Sequence, residues 1–238
     1  MIRGSIVALV TPFNASGAVD YDALKRLVDF HVSEGTHAIV AVGTTGESAT
    51  LTHTEDSEVI KATVEYADGR IPVIAGAGSN STAEACQLTE AATVAGAHAI
   101  LSVAPYYNKP PQSGLLAHFR AVASSTDLPI ILYNVPGRTV TDIADDTTLE
   151  LAEVSNIVGI KDATGDLDRA QYVLKHRPDG FAVYSGDDPT AMELCLLGGD
   201  GDISVTANVA PRLMSQMIEA AMDGRREVAE ALNDQLLG

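Results

Sequence analysis

Cysteine is scarce in this chain of 238 residues, which carries only two, Cys86 and Cys195. They stand far apart and belong to no Cys-x-x-Cys motif, so the sequence indicates neither a disulfide framework nor a zinc ribbon. The six histidines are scattered, without a His-x-His or His-Glu-x-x-His pair. The sequence therefore predicts no metal site, and a helix cap is the expected role of the acidic pair Asp187-Asp188.

Basic residues are also few: 15 Lys and Arg face 32 Asp and Glu, which gives a formal net charge of −17. Nucleic acids and anionic membrane surfaces are bound through clustered Lys and Arg, so neither partner is expected. No apolar run approaches the roughly 18 to 20 residues that span a bilayer. The run from Ile6 to Val10 is too short for a signal peptide and Pro12 follows it, so we expect a cytoplasmic protein.

Short apolar runs rich in β-branched residues are what the sequence does contain. Each is almost continuously hydrophobic, as expected for strands of a parallel sheet that are buried on both faces. The eight runs begin at Gly4, His37, Ile71, Ala97, Pro129, Ile157, Phe181 and Gly201.

Helical patterns fill the gaps between these runs, as parallel pairing requires. Asp20 is a candidate cap for the first helix, and Ser81 with Glu84 has the spacing of a capping box. The predicted helices cover about 20–34, 54–67, 81–96, 112–125, 145–154, 166–176, 189–197 and 211–222.

Eight βα units at this spacing predict a closed (β/α)8 TIM barrel in the α/β class, with an open doubly wound sheet as the alternative. We assign residues 1–223 to the barrel. Residues 224–238 are expected to begin a shortened C-terminal helical extension. Its apolar positions Val228, Leu232 and Leu236 must pack on the barrel or on another chain.

One lysine interrupts a predicted strand. Lys161 follows Ile157-Val158-Gly159-Ile160, at the strand end where barrel enzymes place their active sites. Burial lowers the pKa of a lysine, and the neutral amine is a nucleophile for carbonyl carbon. We therefore predict Schiff-base catalysis by Lys161, the alternative being a structural ion pair with Asp162.

Three other strand ends carry candidate groups. Tyr133 is interpreted either as a proton shuttle or as a core side chain. Arg138, five residues later, either binds a carboxylate through its guanidinium or is an ordinary surface residue. The run from Gly43 to Ser48 offers hydroxyl and backbone donors to a small anion, or forms a plain tight turn. Tyr106 and Tyr107 precede a proline-rich loop and provide contacts or packing.

Three motifs at these strand ends carry a resemblance to a known family. They are GTTGES at Gly43–Ser48, YNVPGRT at Tyr133–Thr139 and GIKDATGD at Gly159–Asp166. Together with GSIVALVTPF near the start and SVTANVAPR near the end, they closely resemble the dihydrodipicolinate synthase family. The loop that bears Arg138 favours this synthase over the sister aldolases that act on sugar acids.

The resemblance implies condensation of pyruvate with L-aspartate-4-semialdehyde, on the diaminopimelate route to lysine, without a metal or organic cofactor. Lys161 would form the Schiff base. Tyr133, Thr44 and Tyr107 would relay protons, with Tyr107 supplied by a neighbouring subunit in a homo-oligomer that is at least a dimer. The substrate-binding positions that it implies are Thr45 for the pyruvate carboxylate, Arg138 for the semialdehyde carboxylate, and the Ile203 carbonyl.

The resemblance also implies an inhibitory site for L-lysine. Asp56 stands where some lysine-sensitive members carry a second imidazole. The implied residues of that site are Ser48, Ala49, His53, Asn80, Glu84 and Tyr106. Family members normally continue with several more helices, so one alternative is an impaired short form that serves as an assembly or lysine-binding subunit. The other is a sister aldolase acting on a sugar acid, such as N-acetylneuraminate or keto-deoxygluconate.

Overall fold

Eight parallel strands form a closed barrel in the computed structural model, which describes residues 2–237. The strands pair in chain order, and the eighth closes on the first. They are β1 (Gly4–Ala8), β2 (Ala38–Ala41), β3 (Val73–Gly76), β4 (Ala99–Val103), β5 (Ile130–Asn134), β6 (Ile157–Asp162), β7 (Ala182–Ser185) and β8 (Gly201–Ser204). Every predicted strand is present, so the (β/α)8 barrel is confirmed and the open sheet is excluded.

Helices cover the outside of the barrel. They are α1 (Tyr21–Ser33), α2 (His53–Ala67), α3 (Thr82–Val94), α4 (Gln112–Ala123), α5 (Pro136–Thr139), α6 (Asp145–Leu151), α7 (Leu167–His176), α8 (Asp188–Leu196), α9 (Pro211–Met222) and α10 (Arg226–Leu237). Each predicted helix lies within a few residues of its expected position. The side chain of Asp20 accepts a hydrogen bond from Ala23 N, as expected of the cap of α1.

Two hydrophobic clusters hold these layers together, because successive residues of a strand point to opposite faces. The inner cluster fills the barrel and includes Ile74, Tyr133 and Ile203. The outer cluster joins the strands to the helices and is much larger. Ile203 of β8 points into the barrel, so its neighbour Asp202 faces the helix layer.

The helix α10 packs on α8 and α9. Ala229 is buried, and Leu232 and Leu236 are half-buried against the outer cluster. Val228 is exposed, so two of the three predicted apolar positions make the expected contact. The domain boundary after residue 223 stays a prediction.

Three local expectations were wrong. Ser81 accepts from Glu84 N, but the Glu84 carboxylate turns to Ser79 and His53, so the reciprocal half of the capping box does not form. Asp187 precedes α8 without a side-chain capping bond. Residues 136–139, expected as a turn-rich loop, form α5, because proline fits the first turn of a helix.

None of the helices within residues 2–237 combines the length and the hydropathy of a membrane span.

Candidate active site

Lys161 and Tyr133 are neighbours at the carboxyl ends of β6 and β5. The strand register places them opposite each other, and the Lys161 Nζ atom lies 4.3 Å from the centre of the Tyr133 ring. Lys161 is 4% exposed and Tyr133 is 7% exposed. The predicted nucleophile and the predicted proton shuttle are therefore in contact inside the barrel.

The surroundings of Lys161 favour its neutral amine. Burial lowers its pKa to about 8, and the charge of Arg138 acts in the same direction, while the carboxyl groups of Asp202 and Asp188 oppose the shift. Gly186 has no side chain, and the aliphatic chain of Lys161 occupies the space beside it. A Cβ on Gly186 would fall 2.6 Å from Lys161 Cε. A glycine at the end of β7 thus leaves the room that this lysine needs.

Asp162 does not form the alternative ion pair with Lys161. Its carboxylate accepts hydrogen bonds from Thr164 and Asn134, and it lies 3.5 Å from Arg169. Arg169 also binds Asp142 and Asp145, so Asp162 belongs to a structural ion cluster on the helix side of β6. Lys161 is left to the interior of the barrel.

The Tyr133 phenol lies near the loop that follows β2. Burial raises its pKa, whereas the nearby Thr44 side chain and the charge of Arg138 lower it. Thr44 is exposed at the mouth of the barrel. This proximity brings together two of the three predicted proton-relay residues.

Strained backbone brings this loop into place. Val42 has a left-handed φ of 57°, which is rare for a β-branched residue and is found most often where function requires it. Its carbonyl packs against β3, where a Cβ on Gly76 would fall 2.1 Å from Val42 O. Two backbone hydrogen bonds, from Gly46 N to Gly43 O and from Glu47 N to Thr44 O, then close the turn of the loop.

A cavity of about 380 Å³ opens beside these groups. Thr44, Tyr133 and Arg138 line one part of it. Arg138 takes part in none of the ion pairs found among residues 2–237. Its guanidinium is thus free to receive an anion at the mouth of the barrel.

The same cavity extends to most of the residues predicted to bind lysine, namely Ser48, Ala49, His53, Glu84 and Tyr106. His53 Nε2 lies 3.0 Å from Glu84 Oε1, and Ser79 donates to the other oxygen of Glu84. Asn80 does not line the cavity, and its backbone carbonyl accepts a hydrogen bond from the Asn108 side chain.

Asp56 is a feature of this cavity that its sequence position alone did not reveal. It is 7% exposed, and its Oδ1 atom has no hydrogen-bond partner among the described residues. Burial and Glu55 raise its pKa to about 6, although His53 opposes the shift. This carboxyl group can therefore change charge near neutral pH.

Five predicted site residues, counting Asn80, lie outside the lining of the cavity. Lys161 is one of them, although it contacts Tyr133, which does line the cavity. The other three are Tyr107, Thr45 and Ile203. Tyr107 is 87% exposed with a left-handed φ of 74°, so a single chain does not unite it with Thr44 and Tyr133. Thr45 is half-buried next to Thr44. Ile203 packs in the inner cluster.

Within the described part of the chain, no group of three or more His, Cys, Asp or Glu side chains is arranged to hold a metal ion.

Comparisons with known proteins agree with this arrangement. The sequence model of the Dihydrodipicolinate synthetase family matches residues 1–238. A 4-hydroxy-tetrahydrodipicolinate synthase from Stutzerimonas stutzeri is 61% identical over 237 residues, which cover 100% of this chain and 81% of that protein.

Solved structures show the same similarity. The chloride-inhibited dihydrodipicolinate synthase from Acinetobacter baumannii, complexed with pyruvate, is 54% identical with a TM-score of 0.97, over 98% of this chain and 80% of that one. The enzyme from Cyanidioschyzon merolae with lysine bound is 41% identical with a TM-score of 0.90, over 95% of this chain and 80% of that one.

A closed barrel with a buried, pKa-lowered lysine at its mouth is typical of the lyases that use a lysine amine on carbonyl substrates. Within that class, the chain belongs to the dihydrodipicolinate synthetase family. The resemblance carried by the three motifs is therefore confirmed, and the sugar-acid alternative is not favoured.

Proposed function

We propose that this chain condenses pyruvate with L-aspartate-4-semialdehyde to give 4-hydroxy-tetrahydrodipicolinate, through a Schiff base on Lys161. The observation that carries the proposal is the contact between a buried, partly neutral Lys161 and Tyr133 at the mouth of the barrel. The relatives named 4-hydroxy-tetrahydrodipicolinate synthase support the substrate pair.

The first half of the reaction activates pyruvate. The neutral Nζ of Lys161 attacks the keto carbon, the keto oxygen leaves as water, and a protonated imine remains. The imine nitrogen then accepts the electron pair of a C–H bond at the methyl group, whose proton is lost, and the enamine forms. No step requires a metal or an organic cofactor.

The second half forms the carbon–carbon bond. The enamine carbon attacks the aldehyde carbon of the semialdehyde, and the alkoxide takes up a proton. The amino group of the semialdehyde portion then displaces Lys161 from the imine carbon, which closes the ring and returns the free amine. Tyr133 and Thr44 are placed to move these protons, and Tyr107 of a neighbouring copy would complete the relay.

Two groups are assigned to the substrate carboxylates. The amides of Thr44 and Thr45 have no backbone partner within residues 2–237, and with the Thr45 hydroxyl they would hold the pyruvate carboxylate near the Ile203 carbonyl. Arg138 would hold the carboxylate of the semialdehyde as a bidentate fork.

Trapping with borohydride tests the assignment. Incubation with pyruvate and borohydride should add a reduced adduct to Lys161, which peptide mass spectrometry can locate, and Lys161→Arg should remain unmodified. A native chain that stays unmodified would falsify the Schiff-base assignment and favour the impaired assembly subunit. A coupled assay that offers the semialdehyde against N-acetylneuraminate or keto-deoxygluconate then separates the synthase from a sister aldolase.

We further propose that L-lysine inhibits the enzyme from the part of the cavity lined by His53 and Glu84. The chemistry fits, because the carboxylates of Glu84 and Asp56 suit the amino groups of lysine. The relative from Cyanidioschyzon merolae was solved with lysine bound. An assay in millimolar lysine should show a reduced rate, and an unchanged rate contradicts this site.

A homo-oligomer is part of the same proposal. Tyr107 and Val140 are 87% and 63% exposed near the mouth of the barrel, as expected of side chains that a second copy covers. Light scattering should give at least the mass of a dimer. The cytoplasmic location stays a prediction of the sequence.

A further inference from the structure

Two buried carboxyl groups lie behind β8, outside the cavity and outside the mechanism given above. Asp202 is 0% exposed on β8, where the strand register places it opposite Ser185 of β7 and Ser5 of β1. Ile203, the next residue, points into the barrel, so Asp202 faces the helix layer. Asp188, the first residue of α8, is near enough for the two carboxyl groups to act on each other.

The hydrogen-bond donors around this pair are divided unequally. Asp188 Oδ2 accepts from Val205 N at 3.2 Å, from Thr206 N at 2.8 Å and from Thr206 Oγ1 at 2.7 Å. The Oδ1 atom of Asp188 and both carboxyl oxygens of Asp202 receive no donor from the described residues. Three buried carboxyl oxygens are therefore left without a proton from any other group.

One shared proton satisfies this arrangement. A buried carboxylate without donors is strongly disfavoured, and two adjacent carboxyl groups relieve their repulsion when one protonates and donates to the other. Burial and the charge of Asp188 raise the pKa of Asp202 well above its usual range. Burial also acts to raise the pKa of Asp188, but its hydrogen bonds with Asp202 and Thr206 hold that pKa below the usual range. Asp202 holds the proton, and Asp188 carries the charge.

The field of this pair reaches Lys161. A negative charge on either Asp202 or Asp188 favours the protonated amine of Lys161, and the charge of Arg138 opposes it. Lys161 and Asp187 are the other charged groups that act on Asp202. Cys195 of α8 also lies near Asp202, and burial keeps it a thiol by raising its pKa.

We propose that Asp188 and Asp202 share one proton and together supply a single negative charge, which stabilises the cationic imine on Lys161. They are positioning residues, since they act through Lys161 and face away from the cavity. The inference rests on the proposed Schiff base: imine formation turns a neutral buried amine into a cation beside Arg138, and a compensating charge behind β8 favours that step.

A shared charge predicts an unusual pattern among variants. Asp202→Asn leaves the charge on Asp188. Asp188→Asn removes the like charge that keeps Asp202 protonated and puts an amide donor beside it, so Asp202 ionises instead. Each single variant therefore keeps one negative charge, and only the double variant loses it. Asp145→Asn, in α6, is the matched control, because Asp145 is a partly buried carboxylate paired with Arg169 at 2.8 Å and does not act on Lys161.

Borohydride trapping measured against pH and pyruvate concentration tests this pattern. In the double variant, the midpoint pH of the trapping rate should fall by about one unit and half-maximal trapping should need roughly tenfold more pyruvate. The single variants and the control should stay within about twofold of the native chain. A double variant that matches the native chain, or a single variant that already shows the full change, overturns the proposal.

The shared proton can also be observed directly and without activity. The infrared difference spectrum between the native chain and Asp202→Asn at neutral pH should show the C=O stretch of a protonated carboxyl group that the variant lacks. Absence of that band overturns the proposal. If pyruvate fails to modify native Lys161 while the band is present, the proposed function fails and the shared proton stands.

Discussion

Arg138 places a permanent positive charge, and Lys161 a titratable amine, at the mouth of a barrel whose formal net charge is −17. The overall field therefore repels the two carboxylate substrates, and attraction must come from groups close to the site. Arg138 has this role in our proposal, because its guanidinium is exposed at the cavity and takes part in none of the ion pairs of the described chain. Lys161 acts at shorter range, as the reacting amine.

Replacement of Arg138 should weaken the reaction with the semialdehyde more than the reaction with pyruvate. Arg138→Ala should raise the KM for the semialdehyde by about tenfold or more, since a charged hydrogen bond is lost, while trapping with pyruvate changes less. Arg138→Lys is the matched variant, because it keeps the charge but loses the fork. Equal losses in the KM for the semialdehyde and in pyruvate trapping would contradict the role given to Arg138.

Asp56 predicts a pH-dependent response to lysine. Its pKa is about 6, so the carboxylate is ionised above that pH and protonated below it, and a cationic ligand should bind more tightly on the alkaline side. The apparent Kd for lysine, measured by calorimetry between pH 5.5 and pH 7.5, should therefore fall as the pH rises.

Asp56→Asn is the control for this pH dependence. It should weaken lysine binding at pH 7.5 and flatten the curve, because the amide does not titrate. If Asp56→Asn keeps the native pH dependence, titration of Asp56 does not cause the pH dependence of lysine binding.

At the scale of elements, the first turn of α2 links stability to the proposed lysine site. Thr52 Oγ1 accepts from Glu55 N at 3.2 Å, and Glu55 Oε2 accepts from Thr52 N at 2.8 Å, so the capping box is complete. His53 and Asp56 follow in the same turn and line the cavity. The cap thus positions two groups of the site through the backbone.

Thr52→Ala should lower the free energy of unfolding by about 1 kcal/mol, because an N-terminal donor of the helix loses its acceptor. Thr54→Ala is the matched control, since Thr54 is exposed in the same turn. Urea denaturation measures both changes. A loss in the Thr54 variant as large as that in the Thr52 variant would show that the cap has no specific effect.

The strands and most helices could be predicted from the sequence because their signals are local. Continuous apolar runs and caps such as Asp20 are enough to find them. The details that were wrong depend on distant groups: Glu84 leaves its predicted partner for His53 on another helix. Likewise, the pair of Asp188 and Asp202 exists only because the barrel brings α8 against β8, which no local pattern shows.

At the scale of the whole molecule, two buried histidines make the fold sensitive to acid. His31 of α1 and His118 of α4 are 0% and 4% exposed, and the Nε2 atom of each has no partner in the described chain. Burial lowers the pKa of both to about 4. Since each folded pKa lies below the unfolded value of about 6.5, both histidines lose stabilising free energy as the pH falls from about 6.5 towards 4.

His31→Gln should therefore be less stable than the native chain at pH 7 yet lose less stability on acidification. Between pH 7 and pH 5, the difference in unfolding free energy between the two chains should narrow by about 2 kcal/mol. Urea denaturation at each pH measures it. A constant difference would mean that His31 accepts a proton in the folded state as readily as in the unfolded one.

Gly186 has a consequence for how active members of this family are recognised among genomes. The space that Lys161 occupies is left by the hydrogen of this glycine, since a Cβ there would fall 2.6 Å from Lys161 Cε. Mutation of one glycine codon would thus crowd the nucleophile while leaving every motif that contains the lysine intact. A survey that counts only lysine codons would score such genes as working copies, whereas one that reads positions 161 and 186 together would separate them from decayed ones.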